Sequence, residues 1–142
     1  MKRLLIFSAL WAVLLGLSSC GGSTENKTET TDKAAAYGET KVEVYYFHGD
    51  RRCPTCNAIE EVTKSFLDEN YKGNTDVAFF VVNFDKEENK DIATKFEVSW
   101  SSLFIASGDK KLDLTIEAFQ YAKSDPAMLT NEMKDIIDGF LK

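Results

Sequence analysis

The chain has 142 residues, 44% hydrophobic and 28% charged, with 17 Lys and Arg against 23 Asp and Glu for a formal net charge of −6. That length suits one domain. The acidic balance argues against nucleic acid, and against a membrane surface held by charge alone, as partners.

The N-terminus differs from the rest. Lys2 and Arg3 precede an apolar run from Leu4 to Leu17, broken only by Ser8 and Gly16. The run is about 14 residues, short of the roughly 20 that a bilayer span needs. A charged start, a short apolar core and small residues after it describe a secretory signal. At its end Leu17-Ser18-Ser19-Cys20 resembles the lipobox of bacterial lipoproteins. The resemblance implies a signal peptide over residues 1–19 and a mature protein that begins at Cys20, lipidated on its sulfur and amino group. The chain would then be anchored in a bacterial cell envelope facing the periplasm. Gly21, where aspartate would retain some lipoproteins at the inner membrane, tilts the choice toward the outer membrane. Loss of Lys2 and Arg3 with the signal leaves 15 basic against 23 acidic residues, net −8. From Cys20 to Thr40 (residues 20–40) there is almost nothing to bury, and the segment reads as a flexible tether reaching roughly 25 Å.

The folded part is expected from Lys41 to Lys142 (residues 41–142). Val42, Val44 and Tyr46 alternate with Glu43 and Tyr45, which predicts a strand over Lys41–His48. His48-Gly49-Asp50 leads into Arg51-Arg52-Cys53-Pro54-Thr55-Cys56, where the strand gives way to a helix. Cys53 takes the N-cap and Pro54 the first helical position, where a missing N–H goes unmissed. Cys56 falls in the first turn. Residues three apart share a helix face, so the two sulfurs can meet and close a small disulfide loop. The helix start and the charges of Arg51 and Arg52 favour a thiolate, the species that attacks disulfides. The stretch reads as a redox dithiol. Half of a metal site and an inert structural disulfide are the other readings of such a pair; zinc wants about four ligands, and beyond these cysteines the sequence offers His48 as the single histidine.

From Pro54 to Tyr71 the pattern is helical, with Ile59, Val62, Phe66 and Leu67 on one stripe and Gly73 beyond its end. Val77–Val82 is apolar throughout, as in a strand covered on both faces. Asp85 and Glu88 have the spacing of a helix start, and Ile92, Ala93 and Phe96 give that helix an apolar face. Ser102–Ala106 predicts a third strand and Ser107-Gly108-Asp109-Lys110 a turn. The alternation of Leu112, Leu114 and Ile116 predicts a fourth strand. Ser124-Asp125-Pro126 opens a last helix, with Leu129, Met133, Ile136, Ile137, Phe140 and Leu141 inward. The order is a βαβ crossover followed by ββα. About 100 residues can bury one core without staples.

With Cys-Pro-Thr-Cys at the first strand–helix junction, this order resembles the thioredoxin fold over nearly all of residues 41–142. The fold implied is α/β, thioredoxin-like βαβ plus ββα, a mixed four-stranded sheet with helices on both faces. More narrowly, Tyr46-Phe47-His48-Gly49 with Arg52-Cys53-Pro54-Thr55-Cys56 is similar to a group of small exported thioredoxin-like proteins, the ArsF family ("nitrophenyl compound nitroreductase subunit"). That resemblance implies a redox partner role in handling nitroaromatic or arsenical compounds. The sequence holds no flavin or nicotinamide fingerprint, so no cofactor is expected and nitroreduction by this chain alone is not.

By the thioredoxin resemblance, Cys53 is the exposed nucleophile and Cys56 the resolving cysteine, with Thr55 tuning the pair. A protein or small-molecule disulfide is the implied substrate and a membrane thiol carrier the implied electron donor. Three features depart from the pattern. Arg52 replaces a tryptophan before the first cysteine. Tyr46-Phe47 stands where thioredoxins bury an aspartate, leaving His48 or Asp50 as candidates to move the inner cysteine's proton. Ser101 or Ser102 stands where a cis-proline is expected opposite the dithiol, and Trp100 beside them is a candidate rim of the substrate groove. The missing proline keeps a second reading open, a binding module for a soft metal or metalloid at Cys53 and Cys56; a non-catalytic scaffold of the same fold is a third.

Overall fold

The computed structural model describes residues 37–142; the signal segment, Cys20 and the tether as far as residue 36 lie outside the described residues. The elements are β1 (Val42–His48), α1 (Pro54–Asn70), β2 (Val77–Asn83), a 3-10 turn at Glu87–Asn89, α2 (Lys90–Lys95), β3 (Ser102–Ser107), β4 (Lys110–Asp113), α3 (Thr115–Tyr121) and α4 (Pro126–Leu141). The strands lie in the order β2-β1-β3-β4. β2 runs parallel to β1, while β3 is antiparallel to both β1 and β4. This is the thioredoxin-like mixed sheet that the sequence pattern implies. Among the described residues no helix is long and apolar enough to cross a membrane.

β1 is the hub, paired on both edges. On one face Val42, Val44 and Tyr46, with Leu103 and Ile105 of β3, pack under Ile59, Phe66 and Leu67 of α1, Ala118 of α3, and Leu129, Met133 and Ile137 of α4. On the other face Tyr45, Phe47, Val82, Phe104 and Ala106 pack against Ile92 of α2 and Phe96 at its C-terminus. Helices thus cover both faces.

Three expectations change, and both faces of β1 are buried, with Glu43 7% and Tyr45 1% exposed. Glu43 tolerates burial because its carboxylate accepts from the Tyr45 hydroxyl at 2.8 Å and the Gly38 N–H at 2.5 Å. Packed chain is met before Lys41, since the Tyr37 ring lies 5.2 Å from that of Phe80 and 5.8 Å from that of Tyr45. Asp85 does not start a helix; its carboxylate accepts from the Asp50 N–H at 2.7 Å, and helical structure begins only at Glu87. The fourth strand stops at Asp113, short of Leu114 and Ile116. The Leu114 N–H still donates to the Leu103 carbonyl at 2.8 Å, but the next β3 donor, the Leu103 N–H, goes to the Thr115 hydroxyl at 3.1 Å. The Asp113 carboxylate accepts from the Thr115 N–H at 2.8 Å as the chain turns into α3. Leu114 is buried there while Ile116 is 76% exposed.

Candidate active site

Cys53 is the N-cap of α1, with extended backbone, and its sulfur accepts the Cys56 N–H at 3.0 Å. Pro54 follows at the first helical position. Cys53 and Cys56 are joined as a disulfide, with Cα atoms 4.9 Å apart. Cys53 is partly exposed, whereas Cys56 is only 5% exposed. Thr55 lies between them, partly buried. The geometry puts one sulfur at the surface against helix N–H groups, which favour its thiolate, and the other one turn deeper.

Beneath the dithiol lies Tyr46, fully buried on β1. Its hydroxyl donates to the Cys56 carbonyl at 2.7 Å. Burial, the largest influence, pushes the phenol up, against opposing pulls from Arg52 and Ser101; Tyr46 therefore stays a neutral donor. The Arg52 guanidinium sits 5.7 Å from the centre of the Tyr46 ring and forms an ion pair with Glu60. Arg52 is thus not a free charge beside the thiolate. Glu60 follows Cys56 by four residues, one turn along the same helix face.

The other candidates face the neighbouring loop. The Asp50 carboxylate accepts from Asn83 Nδ2 at 2.8 Å and pairs with Lys86 at 3.0 Å. These bonds, Asn83 first, hold its carboxyl below the usual carboxylate range. The His48 Nδ1 lies 2.9 Å from the Gly49 carbonyl, and its ring stacks 6.0 Å from that of Tyr46. His48, Arg52, Glu60, Asn83 and Lys86 line a polar cleft of about 300 Å³. The structure therefore gathers Arg52 and Ser101 around Tyr46 and Cys56, places His48 across the cleft, and commits Asp50 to Asn83 and Lys86.

Ser101 and Ser102 enter β3, where Ser102 is buried opposite Phe47 and its hydroxyl donates to the Trp100 carbonyl at 3.1 Å. All described peptide bonds are trans. Trp100 (71% exposed), Ile116 (76%) and Phe119 (40%) line an apolar groove of about 600 Å³ with Ser101. Among the described residues no three His, Cys, Asp or Glu side chains gather as metal ligands. The sequence marks Tyr46 only as standing where an acid is expected, and it marks none of Glu60, Asn83 and Lys86 as a site residue. The spacing of Glu60 from Cys56 was the available signal for one of them; pairing of β2 with β1 brings Asn83 beside His48, and the loop that follows brings Lys86.

No protein-family model matches the chain, and no curated protein matches it in sequence. Among solved structures it is similar to Trxlp from Edwardsiella tarda, at 20% identity and a TM-score of 0.48 over 66% of this chain and 82% of that one. It is similar to the germline-specific thioredoxin Deadhead from Drosophila melanogaster, at 21% identity and a TM-score of 0.47 over 69% of this chain and 83% of that one. Mitochondrial thioredoxin 3 from Saccharomyces cerevisiae gives 19% identity and a TM-score of 0.46 over 69% and 81%. The thioredoxin-like fold rests not on these scores but on the strand order β2-β1-β3-β4, the strand directions and the helix arrangement described above.

Proposed function

We propose that this chain is a thiol–disulfide oxidoreductase working through Cys53 and Cys56. The observation that carries the reading is the pair itself: one sulfur partly exposed at a helix start, bonded to another that is buried one turn in. In the reducing direction, the Cys53 thiolate attacks a partner disulfide. A Cys53–partner S–S bond forms, and the partner's other sulfur leaves as a thiolate and takes up a proton. Cys56 then loses its proton and attacks Cys53. The second partner thiol leaves, the Cys53–Cys56 disulfide forms, and two electrons have passed to the partner. A thiol carrier resets the pair by the reverse exchange.

The setting we propose is a bacterial cell envelope, with the domain tethered by lipid on Cys20 and reset by a membrane thiol donor. The lipobox resemblance of Leu17-Ser18-Ser19-Cys20 supports the anchor, and an oxidising compartment suits a cycling dithiol. The resemblance of the Tyr46–Cys56 stretch to the ArsF family supports a role as redox partner subunit in nitroaromatic or arsenical handling.

The test is reduction of a model protein disulfide. Cys53→Ser is expected to abolish it, and Cys56→Ser to accumulate a mixed disulfide on Cys53. A Cys53→Ser protein as fast as wild type would remove the reading. Labelling with a radioactive fatty acid, lost in Cys20→Ser, tests the anchor.

A further inference from the structure

Of the two arginines that precede the dithiol, Arg52 is held in an ion pair with Glu60. Arg52 directly precedes Cys53, and its guanidinium lies over Tyr46, whose hydroxyl touches the Cys56 peptide. Unpaired, that cation would stabilise a Cys53 thiolate, and with it the reduced protein. It is not unpaired. Glu60, eight residues further on and about two turns into α1, holds it, with the two side chains at 28% and 25% exposure. At such exposure a charge is screened less than on an open surface.

We propose that Glu60 is a positioning residue that sets the redox poise of the dithiol, holding Arg52 over Tyr46 and cancelling its charge at Cys53. The inference rests on the redox reading above and gives it a direction, because withholding a cation from the thiolate makes the pair a stronger reductant. Other charged groups line the same clefts: His48 across from Arg52, Lys86 and Glu88 from the β2–α2 loop, and Glu61 and Lys64 on α1; Arg51, next in sequence to Arg52, is exposed. Lys86 is already committed to Asp50. Glu60 is the carboxylate that pairs with Arg52 among the described residues.

The experiment measures two quantities on the full chain: the redox equilibrium of Cys53–Cys56 in thiol buffers, and the pH dependence of Cys53 alkylation in the reduced protein. In Glu60→Gln the alkylation profile moves to lower pH. The dithiol–disulfide equilibrium shifts on the order of tenfold toward the dithiol, about 30 mV more oxidising for a two-electron couple. Arg52→Gln moves both in the opposite direction, since it leaves Glu60 uncompensated. Glu69→Gln, at the far end of the same helix, changes neither. If Glu60→Gln leaves both quantities at the wild-type value, or Glu69→Gln shifts them equally, the assignment to Glu60 is overturned while the redox reading stands. A wild-type pair that never equilibrates reversibly with thiol buffer overturns both.

Discussion

The Tyr46 hydroxyl donates to the Cys56 carbonyl at 2.7 Å, so the central strand is tied directly to the first turn of α1 under the dithiol. Tyr46→Phe keeps the ring in the core and removes this bond. The expected cost is about 1 kcal/mol, read as a lower denaturant midpoint with unchanged slope. An unaltered midpoint would show that the bond contributes nothing to stability.

Gly49 is buried where the two loops meet. A Cβ there would lie 2.9 Å from Asp85 Oδ2 and 3.1 Å from the Phe84 ring. Asp85 Oδ2 is the atom that accepts the Asp50 N–H, so it cannot yield without loosening the loop before Cys53. Gly49→Ala is therefore expected to cost about 1–3 kcal/mol, as overpacking does, and to speed hydrogen exchange at the Asp50 amide. Normal exchange there would place the strain elsewhere.

Thr63 is fully buried in α1, and its hydroxyl has no hydrogen-bond partner. Such a group costs about 1–3 kcal/mol. Thr63→Val removes it at nearly constant volume and is expected to raise stability by about 1 kcal/mol. Met133→Ala on the facing helix, also fully buried, is expected to lose about 2–5 kcal/mol through the cavity it leaves. Thermal unfolding of both variants beside wild type checks the pair, and a destabilised Thr63→Val would contradict the first expectation.

Two carboxyls are held below their usual range: Asp50 by Asn83 and then Lys86, and Asp138 by Lys134 and then the Tyr71 hydroxyl. A carboxyl depressed on folding contributes stability that is present above its unfolded pKa and lost as pH falls through the folded value. The carboxyl resonances of both residues should titrate below about 3.9, and Asn83→Ala should move that of Asp50 upward. Tyr71 runs the other way: burial, then Asp138, raises its phenol. Its contribution is complete below the ordinary phenol range and lost as pH rises through the raised value. Phenolate absorbance should therefore show Tyr71 titrating late. An Asp50 midpoint unmoved by Asn83→Ala would sink the proposed cause.

What the sequence determined by itself were the parts governed by local chemistry. Cys53-Pro54-Thr55-Cys56 at a strand–helix junction dictates an N-cap cysteine and a partner one turn on, since proline and helix geometry act over neighbouring residues. The periodicities of α1 and α4 and the apolar run of β2 likewise mark their own elements. The tertiary structure decided whatever depends on a distant partner. Glu43 and Tyr45 alternate with Val42, Val44 and Tyr46 and are buried as well, because α2 and a layer of aromatic rings close over that face. Leu114 looks like strand, yet the Asp113 carboxylate accepts the Thr115 N–H and the chain turns there into a helix. Arg52 reads as a free charge beside a thiolate until folding sets it on Tyr46 and Glu60. A charge's effect depends on what stands within a few ångströms of it, and only the packed chain fixes that.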